Sequence, residues 1–106
     1  MARIVRTASA RRDVVEIWSY IATDNAPAVA DGMLARLTSA MEILALTPLM
    51  GRKRVDWNGK PRSFAVRKYV IVYEPLPERD GILVWRILHG ARNLKRIVRP
   101  PRGNDR

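Results

Sequence analysis

The chain has 106 residues, of which 20 are lysine or arginine and 10 are aspartate or glutamate, so its formal net charge is +10. This length allows one domain, because domains usually contain roughly 100–150 residues. The absence of cysteine excludes a disulfide framework, a thiolate metal site and a cysteine nucleophile. No apolar run approaches the roughly 18–20 residues of a membrane span, and the charged N-terminus does not resemble a signal peptide. We therefore expect a cytoplasmic protein.

The positive charge is confined to one half of the chain. Residues 1–50 contain five basic and five acidic residues, whereas residues 51–106 contain fifteen basic and five acidic residues. Arginine provides 16 of the 20 basic residues, and its planar guanidinium group suits phosphates and carboxylates. This distribution favours a polyanionic partner, either nucleic acid or an acidic protein. The alternative is a charge that only keeps the protein soluble.

The first half of the chain predicts a short strand followed by two helices. The strand pattern covers residues 2–6. Apolar residues at helical spacing then predict a first helix over 9–24, and they are Ala10, Val14, Ile17 and Ile21. Pro27 suits the first turn of a second helix, which the same type of pattern predicts over 27–47. Two amphipathic helices with so short a link should pack as an antiparallel hairpin.

The second half predicts a small sheet. A basic loop over 49–61 precedes strand patterns at 63–66, 69–74 and 82–89, and their short connections predict an antiparallel meander. The predicted architecture is therefore an α+β fold of order β-α-α-β-β-β, with the helical hairpin packed on one face of a small, mainly antiparallel sheet. The other face lacks an element that would cover it fully, which makes it a candidate partner surface.

The end of the chain is basic and rich in proline. A short helix is predicted around residues 92–98, and the following prolines and arginines indicate a disordered end. We divide the chain into a single domain over residues 1–93 and a basic tail over residues 94–106. Ordering of this tail on binding is a hypothesis.

Several strings, in this order along the chain, resemble the ParE/RelE toxins, and the last of them resembles the ParE branch. The strings run from Asp13 to Ile21 in the first helix, from Thr47 to Arg52 at the exit of the second, from Tyr69 to Glu74, and from Arg86 to Asn93. The resemblance covers residues 3–93. Asn93 stands where the family usually has an acidic residue.

This resemblance implies a small bacterial toxin of a type II toxin–antitoxin system. It implies a cognate antitoxin that is small, acidic and ParD-like, and a hetero-oligomeric toxin–antitoxin complex with no membrane partner and no cofactor. ParE toxins act on DNA gyrase, whereas RelE relatives cut messenger RNA on the ribosome, and fold resemblance does not choose between them. We expect a gyrase inhibitor rather than an enzyme. The alternatives are a ribosome-dependent endoribonuclease and an inactive relative that only binds antitoxin.

Under the gyrase hypothesis, a basic face would meet the gyrase–DNA complex. Its candidate residues are Arg52, Lys53, Arg54, Arg62, Arg67, Arg86 and Arg92. Trp57 lies in the basic loop between Arg54 and Lys60, where it would stack on a base or anchor a protein contact. A lid over the edge of the core is the alternative interpretation of this tryptophan.

The ribonuclease hypothesis rests on two residues. Metal-free RNA cleavage needs a general acid and base and a group that stabilises the charge on phosphorus. Arg86 and His89 would take these roles, since His89 is the only histidine. A strand-end residue that satisfies backbone groups is the favoured alternative for His89. One histidine without cysteine cannot assemble a clustered zinc site, so no metal is expected.

Overall fold

A computed structural model describes residues 2–103 of the chain. Its elements are β1 (Arg3–Arg6), α1 (Ala8–Asp24), α2 (Pro27–Leu46), β2 (Arg52–Lys53), β3 (Arg62–Val66), β4 (Tyr69–Pro75), β5 (Gly81–His89) and α3 (Leu94–Ile97). The predicted α+β fold and both long helices are confirmed, with helix ends within one residue of the prediction. The two-residue strand β2 was predicted as loop, because so short a strand carries no periodicity. No helix within residues 2–103 is long and apolar enough to cross a membrane.

Local hydrogen bonds and proline chemistry explain where the two long helices begin. The Thr7 hydroxyl accepts a hydrogen bond from the Ala10 amide at 2.9 Å, which caps α1. The same hydroxyl donates to the Trp85 carbonyl at 2.8 Å, so the cap also ties α1 to β5. Pro27 occupies the first turn of α2, where its missing amide hydrogen costs nothing.

The sheet has five strands in the order β1-β5-β4-β3-β2. β1 pairs with β5 in parallel, and the other three pairs are antiparallel. A bulge interrupts the β4–β5 pair, since Val72 pairs with Arg86 and Tyr73 pairs with Val84 while Trp85 has no partner in the register. An extra residue such as Trp85 changes the direction in which the neighbouring side chains point. It lies at the point where β5 passes the start of α1.

Each face of the sheet has its own apolar core. We call the first the helical face, because α1 and α2 bury it with residues that include Leu37, Met41 and Leu44 against Ile71 and Ile87. We call the other the second face, and its buried cluster consists of Trp57, Val72, Leu76, Leu83, Trp85, Leu88, Leu94 and Val98. The helical hairpin thus covers one face, as the pattern predicted.

The second face is covered in part by the segment that the sequence assigned to the basic tail. Leu94 begins α3, the short helix predicted around residues 92–98, and it is 8% exposed. Val98, directly after α3, is fully buried against the same cluster. Both residues pack against the sheet, and residues 104–106 of the predicted tail lie outside the described residues.

Tyr73 fixes the exit of α2 to the sheet. Its buried hydroxyl donates to the Pro48 carbonyl and accepts from the Gly51 amide, both at 2.8 Å. Burial raises the pKa of Tyr73, and the Gly51 hydrogen bond and the Arg62 charge oppose that rise. A side chain at Gly51 would overlap the tyrosine ring, so glycine is required where the chain enters β2.

Candidate functional site

Arg86 is held by an ion pair with α1. Asp13 lies on the buried stripe of α1 and is 5% exposed. Its carboxylate accepts hydrogen bonds from the Arg86 Nε at 2.8 Å and from Nη2 at 2.9 Å, and also from the Ile87 amide at 2.9 Å. This bidentate contact compensates the charge of Arg86 and joins α1 to the bulged part of β5. Of the seven residues predicted for the basic face, Arg86 is therefore the one committed to the fold by an ion pair.

His89 ends β5 beside a small cleft. Its Nδ1 accepts a hydrogen bond from the Ala91 amide at 3.1 Å, and the ring meets Tyr69 edge-on with 5.5 Å between ring centroids. This geometry fits the strand-end role that the sequence favoured. The cleft measures about 260 Å³, and beside His89 it is lined by Glu16, Tyr20, Tyr69 and Arg92.

The cleft brings together acid–base groups that the sequence reading missed. Glu16 and Tyr20 stand four residues apart on α1, so a helical wheel places them on one face, but only the folded chain shows that this face meets His89. Burial, and secondarily the neighbouring Tyr20, raise the pKa of Tyr69. Arg86 does not line this cleft but a pocket at the start of α1, although its ion-pair partner Asp13 lines the cleft beside His89.

Four of the predicted basic residues meet at the β2–β3 edge. Arg52 and Lys53 form β2 and are exposed, and Lys53 pairs with Arg62 in the ladder. Arg62 donates to the Leu49 and Gly51 carbonyls at 3.1 and 2.8 Å. Arg54 donates to the Ser63 hydroxyl at 2.7 Å. Arg54 and Arg62 therefore brace the loop, while Arg52 and Lys53 present their charge to solvent.

The remaining pair, Arg67 and Arg92, lies at the end of the sheet where β5 finishes. The Gly90 amide donates to the Lys68 carbonyl at 2.7 Å, which draws the β3–β4 turn towards the segment after β5. Both arginines are exposed. The seven predicted residues are thus distributed over three places, namely the β2–β3 edge, this end of the sheet, and the Asp13 contact.

Trp57 lies over the edge of the second-face cluster. Its side chain belongs to that cluster and the residue is 8% exposed. The Arg54 guanidinium carbon lies 4.7 Å from the centroid of its ring. This placement supports the lid interpretation, because stacking on a base would require the covered ring to leave its present packing.

A shallow apolar groove of about 460 Å³ runs between α2 and β3. Its apolar lining comes from both elements and comprises Ala35, Ala40, Ile43, Phe64, Ala65 and Val66. Arg36 and Arg67 also line it, and Ile43 is 52% exposed. The groove therefore combines an apolar floor with positive charge at its border. Among residues 2–103, no three histidine or acidic side chains come close enough to hold a metal ion.

Comparisons with known proteins agree with this architecture. Residues 4–94 match the family model described as the ParE toxin of the type II toxin–antitoxin system parDE. Toxin ParE3 of Caulobacter vibrioides is 30% identical over 94 residues, which cover 89% of this chain and 92% of that protein. A solved structure of the chromosomal ParDE toxin–antitoxin system from P. aeruginosa has the same fold, with a TM-score of 0.71 at 15% identity over 84% of this chain and 96% of that one. The chain belongs to the ParE toxin family of type II toxin–antitoxin systems.

Proposed function

We propose that this chain arrests growth by binding DNA gyrase and that a cognate ParD-like antitoxin neutralises it. The observation that carries the proposal is the match to the ParE family over residues 4–94, which includes both long helices, β2 to β5 and all of β1 except Arg3. The similar structure from P. aeruginosa is of a ParDE system, which supports an antitoxin as the partner. The gyrase target rests on the resemblance to the ParE branch.

The groove between α2 and β3 suits the antitoxin. An amphipathic segment would place its apolar side chains against Ile43 and Phe64, as helices do in apolar grooves. Arg36 and Arg67 would meet carboxylates at the border of that segment. An acidic antitoxin would also be steered towards a chain of net charge +10, which raises the association rate.

The β2–β3 edge suits the target. Arg52 and Lys53 are exposed on a two-residue edge strand, and no carboxylate within residues 2–103 forms an ion pair with either of them. Charge of this kind contributes to binding of the gyrase–DNA complex through steering and contact with anionic groups.

The ribonuclease alternative receives less support from the geometry in the form that assigns catalysis to Arg86 and His89, although the cleft beside His89 also holds Glu16, Tyr20 and Arg92. Catalysis at phosphorus needs the charge-stabilising arginine and the acid–base residue at one reacting group. Two guanidinium nitrogens of Arg86 are bound to Asp13, and Arg86 and His89 line different pockets. Cut messages in a translation extract, lost in His89→Ala, would nevertheless favour the ribonuclease function over the proposed one.

The deciding experiment is a supercoiling assay with purified gyrase. We expect the protein to inhibit supercoiling and to trap the cleavage complex, and the antitoxin to reverse both effects. The double variant Arg52→Gln/Lys53→Gln should inhibit several-fold less. The matched control is Lys68→Gln/Arg79→Gln, which removes the same charge from two exposed turn residues and should inhibit like the parent. Absence of inhibition and of trapped complex at toxin excess would refute the proposal.

A further inference from the structure

We propose that a second basic site, separate from the β2–β3 edge, binds backbone phosphates of duplex DNA. The site lies at the start of α1, beside the β5 bulge, and its outer wall is the segment after α3. We call it the arginine pocket. The choice of DNA as the polyanion rests on the proposed gyrase function, whereas the site itself rests on the observations that follow.

The arginine pocket is assembled from three distant parts of the chain. It has a volume of about 500 Å³. The lining comprises Ala8, Ser9 and Arg12 from α1, Trp85 and Arg86 from β5, and Ile97, Arg99, Pro100, Pro101 and Arg102 from the C-terminal segment. Four of these ten residues are arginines and none is acidic. A concave surface with this composition is suited to an anion.

Three of the four arginines form no ion pair with the part of the chain that the structure describes. Asp13 compensates Arg86, but no carboxylate within residues 2–103 forms an ion pair with Arg12, Arg99 or Arg102. All three are exposed. Because like charges repel, three guanidinium groups around one pocket raise the energy of the unliganded protein, and a phosphate group between them would relieve that repulsion.

Neutral contacts hold two of these guanidinium groups in position. Arg12 donates to the Ser9 hydroxyl at 3.1 Å, and Arg99 donates to the Arg96 and Val98 carbonyls at 2.9 and 2.8 Å. These bonds orient the side chains without cancelling their charge. A pre-positioned arginine loses less side-chain entropy when it binds an anion, which strengthens the contact.

The packing of the C-terminal segment gives the pocket its wall. Val98 is fully buried in the second-face cluster, directly before Arg99. Pro100 packs where the chain passes Gly59, since a Cβ at Gly59 would lie 2.6 Å from the Pro100 Cγ and 2.8 Å from the Trp85 Cη2. The segment that carries Arg99 and Arg102 is thereby placed opposite Arg12 on α1.

The test measures binding of a short, fluorescently labelled DNA duplex in the absence of gyrase, over a series of salt concentrations. The pocket variant is Arg12→Gln/Arg102→Gln, and the matched control is Lys68→Gln/Arg79→Gln. Loss of two phosphate contacts should reduce the magnitude of the slope of log K against log salt by about 1.8, which weakens binding at 0.1 M salt roughly 60-fold relative to the 1 M reference. The control should change affinity by much less, because its charges lie outside the pocket.

Three results would overturn the assignment. They are an equal loss in the pocket and control variants, no binding of the duplex by the parent protein, and tighter pocket-dependent binding of an RNA hairpin of equal length. Circular dichroism of each variant shows that a loss of binding is not a loss of fold. Because gyrase is absent, failure here is distinguishable from failure in the supercoiling assay.

Discussion

The two faces of the sheet are built in different ways. The helical face is covered by helices of 17 and 20 residues, whose buried residues form one continuous cluster with β4 and β5. The second face is covered by a helix of four residues, by Trp57 from a loop and by the chain around Val98. The first arrangement buries long apolar stripes and stabilises the fold. The second leaves charged segments at its margin, where they are available for binding.

Loss of the ion pair between Asp13 and Arg86 should show one of the two largest effects on stability, because the pair connects α1 to the strand that both faces share. Asp13→Ala removes the ion pair and two hydrogen bonds from the Arg86 guanidinium, and it removes the acceptor of the Ile87 amide. Losing one partner of such a pair costs about 3–5 kcal/mol, and we expect the lower end because the Arg86 side chain is 28% exposed. Urea unfolding measures the change.

Asp13→Asn is the control for this prediction. The asparagine amide oxygen still accepts a hydrogen bond but carries no charge. The free energy of unfolding of this variant should therefore lie between those of the parent and of Asp13→Ala. If Asp13→Ala unfolds at the same urea concentration as the parent, the contact contributes nothing and the prediction is wrong.

A pair of truncations compares the two faces directly. Leu44→Ala creates a cavity in the fully buried helical face and should cost about 2–5 kcal/mol. Val98→Ala removes the equivalent of two methylene groups from the second face and should lower the free energy of unfolding by about 1.6 kcal/mol. Thermal unfolding gives both values, and hydrogen exchange in Val98→Ala should increase first in α3. Equal costs, with uniform exchange, would contradict the expected difference in stability between the two faces.

Tyr73→Phe should have a smaller effect than Asp13→Ala, comparable with that of Val98→Ala. The substitution keeps the ring but leaves the Pro48 carbonyl and the Gly51 amide without their shared partner. Unsatisfied buried groups of this kind cost about 1–3 kcal/mol in the free energy of unfolding. Chemical denaturation measures this change in the free energy of unfolding. Tyr20→Phe is the control, since Tyr20 is 64% exposed and its loss should be close to neutral.

The fold was predictable where the sequence repeats at a fixed period. Apolar residues at helical spacing predicted α1 and α2, and runs of β-branched residues predicted β4 and β5. β2 was missed because two residues carry no period. The bulge at Trp85 was also missed, since it depends on pairing with β4 and not on the residues of β5 alone.

The sequence predicted which residue types form the candidate sites, but it did not predict which of those residues lie close together. Arg86 and His89 stand three residues apart on β5, which places their side chains on opposite faces of the strand, and they line different pockets. Asp13 carried a usable signal, since it stands four residues before Ile17 on the apolar stripe of a helix. A carboxylate at such a position usually has a buried partner. Arg12 and Arg102 carried no such signal, because only the folded chain brings them together.

The parallel pairing of β1 with β5 sets a condition on when the protein can form during its synthesis. Thr7 bonds to a residue 78 positions later, and Asp13 to one 73 positions later. Contacts between such distant residues form slowly, because a long loop must close before they contribute. While β5 is still being translated, β1 has no strand beside it and α1 has no partner for Asp13. We therefore expect incomplete chains on the ribosome to stay unfolded and inactive. The folded toxin should form only after β5 has been synthesised.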